Sequence, residues 1–154
     1  MSNHLIVRVG DGINFKNSKL PFWGIKKGKN GSVKSIINKI TPGDIIWFII
    51  SKKYGGKAIG VAEYTEYHDR SEETLVSINT YSNKDQNWKG EEDWDIQIHY
   101  KNLYITEKQD IQIIIQCAAT ILKYETFKNK HNLPDLYNHY KNFKYYAEPK
   151  IFNN

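Results

Sequence analysis

The stretch Gly43-Asp44-Ile45-Ile46-Trp47-Phe48-Ile49-Ile50 decides how this 154-residue chain folds. Six consecutive apolar residues, most of them β-branched, follow a Gly-Asp turn. Neither alternate set is polar enough to face water, so the run predicts a strand covered on both faces. Upstream, Val33, Ile36, Ile37 and Ile40 recur at helical spacing. They predict a short amphipathic helix from Ser32 to Ile40, with Ser32 as its N-cap and Thr41-Pro42 as its stop. Downstream, Lys52 to Lys57 carries the Gly55-Gly56 pair and reads as a hairpin-like connection into a partner strand, Ala58 to Tyr67.

Farther out, His4 to Val9 is a β-branched run closed by Gly10-Asp11-Gly12, and residues 11 to 21 read as a loop. Phe22 to Ile25 is an apolar island after Pro21, and Leu75 to Tyr81 alternates as a half-buried strand does. Trp94, Ile96, Ile98 and Tyr100 alternate with polar partners and predict a further strand. Thr106-Glu107-Lys108-Gln109 has capping-box spacing, and Ile111 to Leu122 keeps helical spacing, so the main helix is expected over 107 to 125. Leu133 to Tyr140 reads as a second helix and Phe143 to Ala147 as a closing strand. Strands do not alternate singly with helices, which argues against a parallel α/β protein. The expected fold class is α+β: a small curved, mostly antiparallel β-barrel with two or three flanking helices, one domain over 1–154, ending in a helical extension at 106–154.

Composition narrows the function classes. Aromatics make up 14% of the chain, enough apolar surface to offset ordering entropy. A mean hydropathy of -0.65, with no apolar run near ~20 residues, argues against a membrane span. The first residues lack the pattern of a signal peptide, and an intracellular protein, cytoplasmic or nuclear, is expected. One cysteine, Cys117, on the apolar stripe of the expected helix, excludes a disulfide framework or multi-thiolate metal site. His4, His68, His99, His131 and His139 show no convincing ligand spacing, and Asp93 and Asp95 read as part of a solvated acidic loop. Neither metal nor cofactor is expected.

Charge is segregated. Between Lys16 and Lys57 there are 10 lysines against one acid, Asp44, whereas Glu63 to Asp95 holds 10 acids against Arg70, Lys84 and Lys89. A segregated basic stretch is the footprint of a polyanionic partner; scattered lysines on a solvated surface would give the same composition.

Several ordered motifs carry a resemblance. Phe22-Trp23-Gly24-Ile25-Lys26 is followed by the short helix, by Gly43-Asp44, by Gly60-Val61-Ala62-Glu63, and by Trp88-Lys89-Gly90 ahead of the alternating strand. Over about 4–105 this order resembles the PUA-like superfamily and, within it, the EVE and YTH domains. The resemblance implies a PUA-like barrel that holds one modified base, for example N6-methyladenine, in an aromatic cage. The partner would be single-stranded RNA or modified DNA. Trp23 and Trp88 match cage tryptophans, and Tyr81 stands near the place of a third wall at a different spacing. Asn14, with Asp11 nearby, and the Gly24 backbone stand where contacts to the base edge are made.

The physics of such a site is simple. An N-methyl group is apolar and slightly positive, which suits the negative face of an indole. Stacking tolerates any base, so discrimination falls to polar groups at the base edge. Lys16, Lys19, Lys26, Lys27, Lys29 and Lys89 would hold phosphates and make affinity salt-dependent. Two other readings stand beside this one. A protein-interaction module would use the tyrosine-rich tail, Tyr137, Tyr140, Tyr145 and Tyr146. An ASCH-like amidohydrolase acting on modified nucleosides would use Lys26, Ser32 and Glu63. The expectation is a binding protein with no catalysis.

Overall fold

The structure is a computed structural model that describes residues 3–26, 28–69, 86–89, 94–106, 119–122, 143–144 and 147–152. Among these residues seven strands form one sheet: β1 (His4–Arg8), β2 (Phe22–Ile25), β3 (Ile45–Ile49), β4 (Ala58–Asp69), β5 (Ile96–Ile105), β6 (Ala119–Leu122) and β7 (Glu148–Pro149). Two short helices, α1 (Ile13–Asn17) and α2 (Ser32–Ile37), lie between the first three strands. The sheet runs β2-β5-β4-β3-β1-β6, with β7 added to β5. Among the described strands only β1 and β3 pair in parallel, His4 opposite Ile45 through Arg8 opposite Ile49. The class is therefore α+β with a mostly antiparallel sheet; among the described residues the sheet is open.

The central strand behaves as its sequence requires. Ile46 and Phe48 of β3 enter a core with Leu5, Val7, Phe15, Trp23 and Ile37. Ile45, Trp47 and Ile49 enter a second core with Ile6, Val61 and Phe143. Because β3 alternates between the two, both faces of the sheet are covered there. Trp47 is fully buried and donates its Nε1–H to Nδ1 of His4 at 2.9 Å. Burial holds His4 neutral, its pKa lowered to about 4 against a smaller opposing pull from Asp44. The neutral ring can therefore accept that bond.

Several elements differ from expectation. Residues 13 to 17, expected as loop, form α1, because Gly12 takes a left-handed φ of 87° and turns β1 into a helix whose Phe15 stacks on Phe48 at 4.4 Å. Ser32 is the first residue of α2, not its cap. Gly31, at φ 72°, stands in the cap position with no side-chain hydrogen bond. Residues 119 to 122, expected in the main helix, form β6, antiparallel to β1 with His4 opposite Leu122. A short apolar run can serve either period, and the unpaired edge of β1 decides for strand. Phe143–Lys144 is a helical turn, with Ala147 N–H donating to Phe143 O at 2.9 Å, and the closing strand falls later, at β7. The strand expected from Trp94 begins at Ile96. The strand expected over 75–81, the helix expected over 133–140 and the rest of 107–125 lie outside the described residues. No helix among those described is long and apolar enough to cross a membrane.

Candidate functional site

Where β1 ends, the chain turns sharply. Val9 N–H still donates to Ile49 O at 2.8 Å, and Gly12 N–H closes a turn on Val9 O at 2.9 Å. Asp11 Oδ1 accepts the Ile13 N–H at 3.0 Å, an Asx turn that starts α1. The turn and helix bring Asp11 and Asn14 beside the start of β2, and a cavity of about 390 Å³ opens there. Asp11, Asn14, Trp23, Gly24 and Lys26 line it, together with Arg8, Ser51 and Trp94. That volume lies in the usual range of small-molecule sites, roughly 300–1,000 Å³.

Trp23 is 9% exposed and packs edge-on against Phe15 at 6.1 Å and Trp88 at 5.0 Å. Trp23 and Trp88 meet at 61°, in direct contact. Edge-to-face rings at that distance leave no slot for a base between them. Trp88 also packs edge-on against Phe22 at 5.7 Å. Neighbouring strand residues face opposite ways, so the Trp88 indole lies across the edge of β2. The cavity's other indole is Trp94. A Cβ on Gly24 would lie 2.7 Å from Trp94 Cβ and Cδ1, so only glycine lets this side chain settle on β2. Above it, the Lys26 ammonium sits 5.9 Å from the ring centroid.

A hydrogen-bond network fixes the frame. Fully buried Gln86 donates Nε2–H to Leu20 O and Phe22 O, both at 2.7 Å, and accepts Leu20 N–H at 2.6 Å. Trp88 Nε1–H donates to Ser18 Oγ at 2.7 Å, and that hydroxyl donates to Asn14 O at 3.0 Å. The Asn14 amide clasps the Lys89 backbone, accepting its N–H at 2.9 Å and donating to its carbonyl at 3.3 Å. One N–H and one lone pair of Asn14 remain for a ligand. From the far end of the chain, Lys150 Nζ donates to Lys16 O and Ser18 O, both at 2.8 Å. Burial lowers the pKa of that ammonium.

The expected site residues thus divide. Asp11, Asn14, Trp23, Gly24 and Lys26 share one cavity, while Trp88 and Lys89 frame it from behind through Trp23 and Asn14. Lys16, Lys19 and Lys29 are exposed; Tyr81 and Lys27 lie outside the described residues. Of the amidohydrolase set, Lys26 lines the cavity but Ser32 and Glu63 do not. Glu63 instead accepts a hydrogen bond from Asn102.

Sequence reading missed Arg8, Trp94 and the framing trio Ser18, Gln86 and Lys150. For Arg8 a signal existed: it is one of two arginines among 22 basic residues. It makes no ion pair among the described residues. Among the described lining residues it gives, with Lys26, two cations against the one carboxylate of Asp11. No group of three or more metal-ligating side chains occurs among the described residues. Comparison with protein-family models finds no match, and comparison with curated protein sequences finds none either, so the reading of the cavity rests on its own residues.

Proposed function

We propose that this chain is a non-catalytic nucleic-acid reader of PUA-like type, which lodges a modified base in the cavity at the end of β1 and runs the phosphate backbone over its lysine-rich surface. The observation that carries this reading is the convergence of an indole, polar groups suited to a base edge and two cationic side chains on one cavity of about 390 Å³. Trp23 closes the apolar inner wall. The spare N–H and lone pair of Asn14 and the carboxylate of Asp11 suit the polar edge of a base, the part stacking cannot read. Arg8 presents a planar fork of donors to an anion, the geometry best matched to a phosphate. Lys16, Lys19, Lys26, Lys27, Lys29 and Lys89 carry the sequence-independent attraction.

The test is a tryptophan-fluorescence titration at fixed low salt. One titrant is a short single-stranded RNA with one N6-methyladenine; the other is its unmodified twin. The expected result is a preference of tenfold or more, about 1.4 kcal/mol, that is lost in Trp23→Ala. Affinity for both RNAs should fall steeply as salt rises. Equal, salt-sensitive binding of the two would leave a general nucleic-acid binder and remove the modified-base reading for this methyl group. No binding to either would remove nucleic acid as the partner.

A further inference from the structure

We infer that Tyr54 is a stacking platform for the base next to the one in the cavity, and that Lys52 and Lys53 hold the phosphates beside it. This deepens the reader proposed above and rests on it. A lone exposed tyrosine is ordinary on a protein surface, so the place of this one has to carry the argument. Ser51 lines the cavity, and its N–H donates to the carbonyl of Gly10, another lining residue, at 2.8 Å. The Ser51 carbonyl in turn accepts the N–H of Tyr54 at 2.8 Å and that of Gly56 at 3.2 Å. A bond from the fourth residue back to the first keeps their α-carbons within about 7 Å. Tyr54 is thus held one short step from the cavity wall, on the 3-10 turn Lys52–Tyr54.

Packing does not account for the ring. Tyr54 belongs to neither hydrophobic core and touches no other aromatic among the described residues. Lys53 holds its ammonium 5.0 Å from the ring centroid. One cation covers one face of a ring, and with Lys53 in place Tyr54 is still 49% exposed, so stacking does not require Lys53 to move. Charge points the same way. Lys52 and Lys53 are exposed and form no ion pair among the described residues. The one acid between Lys16 and Lys57, Asp44, is buried and spends its carboxylate on the N–H groups of Asn3 and Thr41. An exposed ring flanked by two lysines suits a single strand, whose bases stack on any aromatic face while its phosphates seek cations.

The test is a cycle on the full chain that removes the ring from the protein and the base from the RNA separately. One probe is the short single strand with one N6-methyladenine. The other is the same strand with abasic nucleotides on both sides of that base, which keeps every phosphate. The unchanged chain should bind the intact strand at least about fivefold more tightly than the abasic one. Tyr54→Ala should bind the two within about twofold of each other. Tyr54→Phe should restore the difference, because the ring is what stacks. Urea unfolding verifies that both variants fold. Lys52→Gln combined with Lys53→Gln should flatten the salt dependence for both strands. A fivefold difference that persists in Tyr54→Ala, or no difference in the unchanged chain, would overturn the platform while leaving the reader standing. Failure of the unchanged chain to bind the methylated strand or its unmodified twin would overturn both.

Discussion

At Gln86 a single buried side chain does the work of a strand partner. Its amide meets the Leu20 N–H, the Leu20 carbonyl and the Phe22 carbonyl, and so fastens the Gln86–Lys89 segment to the start of β2. Gln86→Glu has nearly the same shape but replaces the donor with lone pairs facing two carbonyls. A buried acceptor set against acceptors costs the lost bonds plus desolvation, about 3 kcal/mol together. Urea unfolding should show that loss, and a midpoint equal to the unchanged chain would mean that the segment is held by Trp88 alone. Residues such as these mark the limit of what the sequence discloses. Trp47 is legible as core because its whole neighbourhood is apolar. Gln86 and Ser18 are not, because their partners lie 66 and 70 residues away and no local pattern points to them. Asn14 is half legible: it stands at the cavity, but part of its amide is committed to the Lys89 backbone. Trp94 reads as the first residue of a strand until its place on Gly24 is seen.

Among elements, α1 is the one the site depends on, and at five residues it is too short to hold itself together in water. Its start is fixed by the Asx turn of Asp11, and its end by a clip from the C-terminal segment. Lys150 N–H donates to Leu103 O at 2.9 Å, next to the pairing of β7 with β5, and its ammonium binds the carbonyls of Lys16 and Ser18. A cation at the C-terminal end of a helix also complements the helix dipole. Lys150→Met keeps the stem and removes the donors. It should cost about 1–2 kcal/mol, discounted for the half-exposed setting, and speed hydrogen exchange at the amides of Phe15 to Ser18. Lys150→Arg should restore both. Unchanged exchange in Lys150→Met would show that Phe15 packing alone holds the helix. The elements read most securely from sequence, β1, β3 and β4, are those whose pattern and burial agree. Strand β6 was hidden because Ala119 to Leu122 satisfies helical spacing, and only pairing with β1 across more than 110 residues shows otherwise.

At the scale of the whole molecule, two buried histidines of the described residues make stability depend on pH. Burial lowers His4 to about 4 while its ring accepts the Trp47 bond. Burial, with a smaller contribution from His68, lowers His99 to about 4 as well, its ring 5.2 Å from Phe22 at the β2–β5 pairing. Both pKa values lie below the 6.5 of an unfolded chain, so the unfolded state binds more protons between the two values. Stability is therefore full above about pH 6.5 and falls as pH drops toward 4. At pH 5 the loss should be about 2 kcal/mol for each histidine at most. The two act at opposite ends of the sheet: His4 ties β1 to β3 in the second core, whereas His99 stands where β2 joins β5, near the cavity. His4→Gln can still accept from Trp47 without titrating, so it should remove about half of the pH dependence and leave the rest to His99. Urea unfolding of both proteins at pH 7.5 and pH 5 checks this. Parallel losses in the two proteins would assign the acid sensitivity away from His4 and to the carboxylates or to His99 alone. If His99 is the larger contributor, the methylated-RNA binding proposed above should weaken over the same pH range, because the strand that carries Trp23 and Gly24 is paired to the strand of His99.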